Sequence, residues 1–325
     1  MRTTASLCVC AAALVLASAL PSSAQRIAFE RTYDVGATPT LDASTIRGKI
    51  DVSVGEANRV VVRGTATVHW ELSAPTTAYE LVKQVAANPP IQQDGDTIRL
   101  RPPAGADEQR AMTVAYDVTV PRGTVVRTSS DSGATTVSGV DGRVSIRTQS
   151  AAIAVRDLGG ETDVTTGSGE VQADGINGDL SVATQSSRIL VRNIGAGLRI
   201  RTQSGAVEGS LRGRGDVNIG TGSSAIDLIG VNGALIATSS SGRIRVSGAP
   251  GAPWQVTSGS GSFDLNFDSS SKLTLDARSG SGSVSVDGST LQGSTSKGSA
   301  SGTIGGGGPL VQATSRSGSI RIALR

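Results

Sequence analysis

Apolar and polar positions alternate along most of this chain in short runs, and the same arrangement returns with a short, nearly constant period. Each unit follows one template: apolar-x-apolar-x-Thr-x-Ser-Gly-x-apolar-x-apolar, then a link with one more apolar residue. Alternation with a period of two predicts β-strands, here two per unit. The serines that mark the period are Ser132, Ser150, Ser168, Ser186 and Ser204, evenly spaced, and the series continues at equal or slightly wider spacing with Ser223, Ser241, Ser260 and Ser281.

A unit of this size has too little apolar surface to fold alone, whereas stacked units bury one another. The pattern therefore predicts an all-β fold, a single-domain β-solenoid (β-helix-like) with coils of about 18 residues. Within it, Val182 and Ile200 are predicted to point into the core and Ser181 to point outward. The threonines and serines that precede each turn are expected to stack from coil to coil and to bond the turn backbone. The handedness, the cross-section and the oligomeric state stay open.

The template also divides the chain. Residues 41–63 fit it loosely and predict a divergent first coil, and residues 74–87 predict one short helix that ends before Pro89. The predicted segments are a signal peptide at 1–24, a lead-in and capping region at 26–125, repeat coils at 126–288, a flexible Gly/Ser-rich loop at 289–308 and a final coil at 309–325.

The first residues predict export. Arg2 precedes an apolar run at 7–20, Pro21 ends it, and small residues lead to cleavage after Ala24. The run is shorter than the roughly 20 residues that span a bilayer, so no transmembrane segment is expected after cleavage. Both cysteines, Cys8 and Cys10, lie in this leader, which excludes disulfides and thiolate chemistry from the mature chain. The expected location is periplasmic or extracellular, at the cell surface.

Composition narrows the function classes further. The 30 Lys and Arg residues nearly balance the 27 Asp and Glu residues, so the chain lacks the excess of positive charge that is typical of proteins that bind nucleic acid. A single histidine, His69, cannot form a triad or a histidine zinc site without partners. The glycine-rich strings lack phosphate-loop spacing. The sequence therefore predicts no catalytic, cofactor-binding or metal residues, no cofactor and no enzymatic activity.

Only eight residues are aromatic, and three of them fall close together. Trp254, Phe263 and Phe267 are either a sugar-binding patch or part of the core. Trp254 and Phe263 occupy inward template positions, which favours the core.

One outward face carries charges at successive coils. Arg156, Asp174 and Arg192 follow one another in one position of the template, and Glu170 precedes Arg188 in another. Opposite charges on adjacent strands stabilise a sheet by a few tenths of a kcal/mol each. These five residues are the candidate contact face.

The repeated T-x-S-G-x-[IV]-x-V units resemble the putative-adhesin β-strand-repeat family of bacterial envelope proteins, largely a domain of unknown function. The similarity lies in TGSGEVQA (166–173), TQSGAVEG (202–209), SSSGRIRV (239–246) and SGSGSFDL (258–265), with AYDVTVP (115–121) before the first full repeat. It covers nearly all of the mature chain. The resemblance implies an exported, non-catalytic β-solenoid.

We therefore expect a structural, adhesive or ligand-presenting envelope protein whose partner is a cell-surface glycan or an envelope protein. One alternative is a carbohydrate-active β-helix enzyme, a lyase or hydrolase. Such an enzyme needs clustered carboxylates and usually has aromatic side chains on which sugar rings stack. No aromatic residue occurs between positions 117 and 253. Another alternative is an envelope-stress or sensory accessory that binds a partner protein through residues 26–125.

Overall fold

Each repeat folds as two strands that lie in two different sheets. The computed structural model describes residues 26–68 and 75–325 of the chain. The predicted signal peptide, His69 and Trp70 lie outside the described residues. Two long sheets face each other across one apolar core, sheet I with 14 strands and sheet II with 15. The cross-section that the sequence left open is thus two-sided.

The described residues of the lead-in region form seven strands and two helices. They are β1 (Arg26–Asp34), β2 (Thr40–Thr45), β3 (Ile50–Val54), β4 (Arg59–Val68), α1 (Pro75–Ala87), β5 (Ile91–Asp94), β6 (Thr97–Leu100), α2 (Ala106–Ala111) and β7 (Met112–Val120). The predicted helix is α1, which begins at a proline, a residue favoured in the first turn because its missing N–H has no partner there. The short α2 was not anticipated.

The repeats themselves place one strand in sheet II and the next in sheet I. The sheet II strands are β8 (Val125–Ser130), β10 (Val144–Thr148), β12 (Thr162–Thr166), β14 (Leu180–Thr184), β16 (Leu198–Thr202), β18 (Val217–Thr221), β20 (Leu235–Ser239) and β22 (Trp254–Ser258). The sheet I strands are β9 (Thr135–Ser138), β11 (Ile153–Leu158), β13 (Val171–Ile176), β15 (Ile189–Ile194), β17 (Val207–Leu211), β19 (Ile226–Val231), β21 (Ile244–Gly248) and β23 (Phe263–Phe267).

The remaining strands complete the far end. They are β24 (Leu273–Ser279), β25 (Val284–Asp287), β26 (Gln292–Thr295), β27 (Ser299–Ile304), β28 (Leu310–Ser315) and β29 (Ile320–Leu324). We call each pair of strands from one coil a rung. Twelve strands in each sheet run parallel to their neighbours, so at a strand spacing of about 4.8 Å the stack extends for roughly 53 Å.

The order of the rungs in space departs from the order of the chain at both ends. Near the start, rung β2–β3 lies between rung β6–β7 and rung β8–β9. At the far end, rung β28–β29 lies between rung β22–β23 and rung β24–β25. Ser281 therefore stacks on Ser317 and not on Ser260, its predecessor in the series. The first and last rungs of the chain are each enclosed on both sides.

Antiparallel strands close the stack. Strands β4 and β1 extend sheet I beyond β7, and β5 extends sheet II beyond β6. The exposed edge of β1 is partly covered, because the Arg31 guanidinium donates to the carbonyls of Glu30 (2.9 Å) and Ala87 (2.7 Å). Covered edges resist pairing with other chains.

The prediction of a flexible loop at 289–308 is wrong for much of that segment. Strands β26 and β27 form an antiparallel hairpin, and β27 pairs with β24 to extend sheet II. The sequence of this segment does not predict strands, because most of its side chains are small and polar and apolar residues alternate with polar ones only weakly. Ala300 and Ile304 nevertheless face the core and are buried.

Inward positions follow the template. Val182 and Ile200 are at most 1% exposed, whereas Ser181 is partly exposed on the outward side. The aromatic cluster belongs to the core, since Trp254, Phe263 and Phe267 are all buried. The Trp254 indole N–H donates to the Gly233 carbonyl at 3.0 Å, which satisfies its polar group.

Buried hydroxyls line the corner where each rung passes from sheet II to sheet I. Ser239 Oγ accepts the Gly242 N–H at 2.8 Å, and Thr148 Oγ1 donates to Thr166 Oγ1 of the next rung at 2.9 Å. The predicted bonds between these hydroxyls and the turn backbone are present at Ser239 and other positions, whereas the buried Thr202 Oγ1 of the same column has no hydrogen-bond partner among the described residues. The glycine that follows has a steric reason, because a Cβ at Gly169 would lie 1.6 Å from the Ala151 carbonyl oxygen.

Candidate functional site

The outward face of sheet I gathers the candidate contact residues over three successive rungs. Parallel pairing aligns Arg156 of β11 with Asp174 of β13, and Asp174 with Arg192 of β15. These residues alternate with buried ones, so their side chains leave the sheet on the solvent side. Arg156 and Arg192 are exposed and Asp174 is half-buried. The register read from the sequence holds for this column of side chains.

Alignment does not make these three residues an ion-pair ladder. Asp174 Oδ1 instead accepts a hydrogen bond from Asn193 Nδ2 at 2.8 Å. Asn193 has a left-handed backbone, with φ of 55°, and this conformation carries its amide toward Asp174 at the strand end. Over residues 26–68 and 75–325, neither arginine of the column has a carboxylate within 4.0 Å.

The second pair also finds other partners. Glu170 and Arg188 occupy matching positions one rung apart, just before β13 and β15. Arg188 Nη2 contacts Glu208 Oε1 of the following rung at 2.7 Å, while Glu170 Oε1 accepts from Gln172 Nε2 at 3.3 Å. The structure therefore brings all five predicted residues onto one face, but it does not join them in the predicted pairs.

A charged column that the sequence analysis missed does form ion pairs. The Arg245 guanidinium lies 3.3 Å from Asp227 Oδ2 and 3.7 Å from Asp264 Oδ2, on the rungs to either side. The signal was available, because these three residues follow the first buried position of β19, β21 and β23. The next member of the column is Arg321. Its place beside Asp264 could not be foreseen, because it depends on the enclosed last rung.

On sheet II, the outward side chains within strands β8 to β20 include four arginines and one aspartate, Asp163. The position just before these strands carries further charges, at Arg143, Glu161, Asp179 and Asp216. Asp163 is already engaged by Arg143, with an N–O distance of 2.5 Å. We name the four arginines the arginine face: Arg127, Arg147, Arg199 and Arg201.

The lead-in region has its own polar features. An open depression of about 450 Å³ lies over β1, β4, β7 and β3, with Glu30, Lys49, Asp51, Arg63 and Asp117 around it. Glu30 pairs with Arg63 at 2.9 Å and Lys49 with Asp51 at 2.5 Å. Asp117 has no such partner among the described residues.

On sheet II of the lead-in, the guanidinium of Arg101 forms a bidentate ion pair with the carboxylate of Asp42. Its Nη1 donates to Oδ1 at 3.0 Å and its Nη2 to Oδ2 at 2.5 Å. These hydrogen bonds hold the pKa of Asp42 below its usual value, against partial burial, and the positive charges of Arg101, Arg127 and Arg99 act in the same direction.

The Asp42 shift has a consequence for stability. A carboxylate whose pKa is lower in the folded chain stabilises it above the unfolded value of about 3.9, and that contribution is lost as the pH falls through the folded value. Asp42→Asn is therefore expected to lower the urea midpoint at neutral pH, and the difference from wild type should shrink below about pH 4. Asp94→Asn, which removes the exposed pair with Arg99, should stay close to wild type. A deficit of equal size at all pH values would contradict this account.

No helix of the described residues is long and apolar enough to cross a membrane. The same residues hold no group of three or more His, Cys, Asp or Glu side chains placed to share a metal ion.

Comparison with known proteins gives one family. The model of the Toastrack DUF4097 family matches residues 118–323, well over half of the chain. The crystal structure of a putative cell adhesion protein from Clostridium sporogenes is similar over 93% of this chain and 100% of its own, with 13% identity and a TM-score of 0.20. No curated protein matches.

Proposed function

Because the chain belongs to the Toastrack DUF4097 family, we propose that it is an exported, non-catalytic β-solenoid with a structural, adhesive or ligand-presenting role in a bacterial envelope. The observation that carries this proposal is the register of outward side chains, held in straight columns over many parallel rungs. A ligand along such a column would meet one outward side chain about every 4.8 Å, and in the column of Arg156, Asp174 and Arg192 it would meet two guanidinium groups about 9.6 Å apart.

The geometry favours many shallow contacts over one deep site. Contacts that are weak singly become strong together when they are held on one rigid surface. The unpaired guanidinium groups of Arg156 and Arg192 on sheet I are available for such contacts without first breaking an ion pair. A glycan or an envelope protein with acidic groups fits this face.

The state of the carboxylates supports a non-catalytic role. Hydrolases need one carboxyl group whose pKa is raised so that it can act as a general acid. The pKa of Asp42 is shifted in the opposite direction, downward, because the Arg101 guanidinium donates hydrogen bonds to its carboxylate. In the repeat rungs, Asp163, Asp227 and Asp264 are in ion pairs with arginines. Turnover of a polysaccharide by the purified chain, lost when one acidic residue is changed, would overturn this part of the proposal.

Protease shaving of intact host cells, followed by blotting, tests location. Loss of the protein from unbroken cells would support display at the surface and an adhesive role. Protection, with release on osmotic shock, would contradict adhesion and leave the structural or sensory role. Retention in the cytoplasm would overturn the proposal as a whole.

The contact face is tested by charge reversal on glycan and envelope-protein arrays. Arg156→Glu combined with Arg192→Glu is expected to lower binding of acidic partners by about tenfold, since charge-assisted hydrogen bonds contribute roughly 1.5 kcal/mol or more. Arg214→Glu combined with Arg316→Glu makes the same change of charge in turns away from both sheet faces. Equal binding by all three proteins would show that the sheet I face is not the contact surface.

A partner protein at the lead-in depression is a second candidate function. The depression joins two ion pairs to the unpaired carboxylate of Asp117, which suits a basic side chain of a sensory partner. Asp117→Arg should abolish crosslinking to such a partner in host cells without changing the thermal midpoint. Unchanged crosslinking would remove this candidate.

A further inference from the structure

The four guanidinium groups of the arginine face form no ion pair with a carboxylate of the described residues. Arg199 and Arg201 form no hydrogen bond or ion pair with any described residue, and Arg147 donates only to Ser145 Oγ, at 3.3 Å. Arg127 lies near Asp42, whose two oxygens are both taken by Arg101. The described residues therefore leave all four guanidinium groups without a carboxylate of their own.

The surroundings leave these groups accessible. Arg199 and Arg201 project from β16, and the neighbouring outward positions on β14 and β18 carry short side chains. Those neighbours are Ser181 and Ala183 on one side, and Asn218 and Gly220 on the other. A planar guanidinium that rises above short neighbours can bind a carboxylate or sulfate with two parallel hydrogen bonds.

The spacing fits an extended ligand. Arg199 and Arg201 are two residues apart on one strand, or about 6.6 Å. Arg147 lies three rungs from Arg201, or about 14 Å, and Arg127 lies four rungs from Arg199, or about 19 Å. A compact ion could not reach all four groups, whereas a chain laid across the rungs could.

We propose that the arginine face binds a linear acidic polysaccharide through its carboxylate or sulfate groups. This inference rests on the proposed ligand-contacting function, and it adds both the chemical class of the ligand and a second face. Nucleic acid is disfavoured because the face has no aromatic side chain on which bases could stack. A membrane is disfavoured because the large apolar residues that are substantially exposed on the outward side of sheet II, among the described residues, are Ile236 on β20 and Leu310 on β28, which lie on separate strands and form no apolar patch.

Binding to dextran sulfate, with neutral dextran of equal length as the matched probe, tests the inference. We expect the full chain to bind dextran sulfate and not to bind neutral dextran. Its affinity for dextran sulfate should fall steeply as the salt concentration rises. Arg199→Glu combined with Arg201→Glu should weaken binding by at least about tenfold. Arg214→Glu combined with Arg316→Glu, with the same change in net charge, should change it less than about twofold. Arg199→Lys combined with Arg201→Lys keeps the charge and should give an intermediate loss, because lysine lacks the planar fork.

Each result decides the inference. Equal loss in the two Glu variants would show that only net charge matters and would overturn it. Binding of single-stranded DNA or anionic phosphatidylglycerol vesicles at least as tightly as dextran sulfate would also overturn the polysaccharide assignment. If array ligands bind through sheet I, but the affinity for dextran sulfate is unchanged by the substitutions at Arg199 and Arg201, the inference fails and the proposed function stands. Absence of any array ligand, with the protein found in the cytoplasm, would remove the proposed function itself.

Discussion

Val182→Asp is expected to abolish folding of the repeat rungs. Val182 is 1% exposed in β14 and lies between Val164 and Ile200 of the adjacent rungs. An aspartate there would place a carboxylate among apolar side chains without a partner, which costs about 4 kcal/mol or more. Because domains have only about 5–15 kcal/mol of stability, the cooperative melting transition should be lost in circular dichroism.

The adjacent residue provides the control. Ser181→Asp adds the same side chain on the outward side of the same strand, beside Arg199, and should leave the transition within a few degrees of wild type. Similar damage from both changes would show that inward and outward positions have been assigned wrongly for the whole repeat.

Removal of residues 309–325 is expected to unfold the far end of the stack. The deletion takes out rung β28–β29 and leaves β23 and β25 about 9.6 Å apart, twice the strand spacing. It also removes the buried side chains of Val311, Ile320, Ile322 and Leu324. At about 1.5 kcal/mol or more for each buried side chain, roughly 6 kcal/mol of apolar burial is lost. Limited proteolysis with mass detection should show cleavage within β22 to β25.

The hairpin β26–β27 makes a matched comparison, because it is nearer the end of the stack in space although it precedes the last rung in sequence. Replacement of residues 291–304 by a Gly-Ser linker of equal length removes two buried side chains, Ala300 and Ile304, and otherwise exposed or partly exposed ones, and it should have a smaller effect. If the hairpin replacement proved as damaging as the deletion of the last rung, the enclosed position of β28–β29 would not be the cause.

The repeat was predictable from sequence because its information is local. Alternation of Leu180, Val182 and Thr184 with outward residues fixes both the strand and its buried face, and the period of the template fixes the neighbour on the next rung. The buried hydroxyl corner and the aromatic core followed from the same template. Each of these features depends on residues within one or two repeats of each other.

The order of the end rungs was not predictable in this way. Ser260 and Ser281 are separated by little more than one repeat of sequence, a spacing that the template tolerates, yet rung β28–β29 separates them in space. After a rung, the chain can form the adjacent rung directly, or it can leave one rung position open for a later segment of the chain. The local pattern of apolar and polar residues is the same in both cases. The choice depends on how well whole rungs pack together, for example Trp254 against Val311.

The candidate site was predictable only in part. The column of Arg156, Asp174 and Arg192 was found because its members share a template position. Its partners were not, because hydrogen bonds such as that from Asn193 to Asp174 depend on backbone geometry at the strand end. The arginine face escaped notice because its members occupy two different columns and skip rungs, so that no single position of the repeat is rich in arginine.

The enclosed rung at the far end also determines how the molecule would respond to a mechanical load. A pull on the C-terminus first reaches β29, which is hydrogen-bonded to β23 on one side and to β25 on the other. An outermost strand under tension can be peeled away one hydrogen bond at a time, whereas a strand held on both flanks must shear past two neighbours at once. The final strand should thus resist being peeled away from its two neighbours.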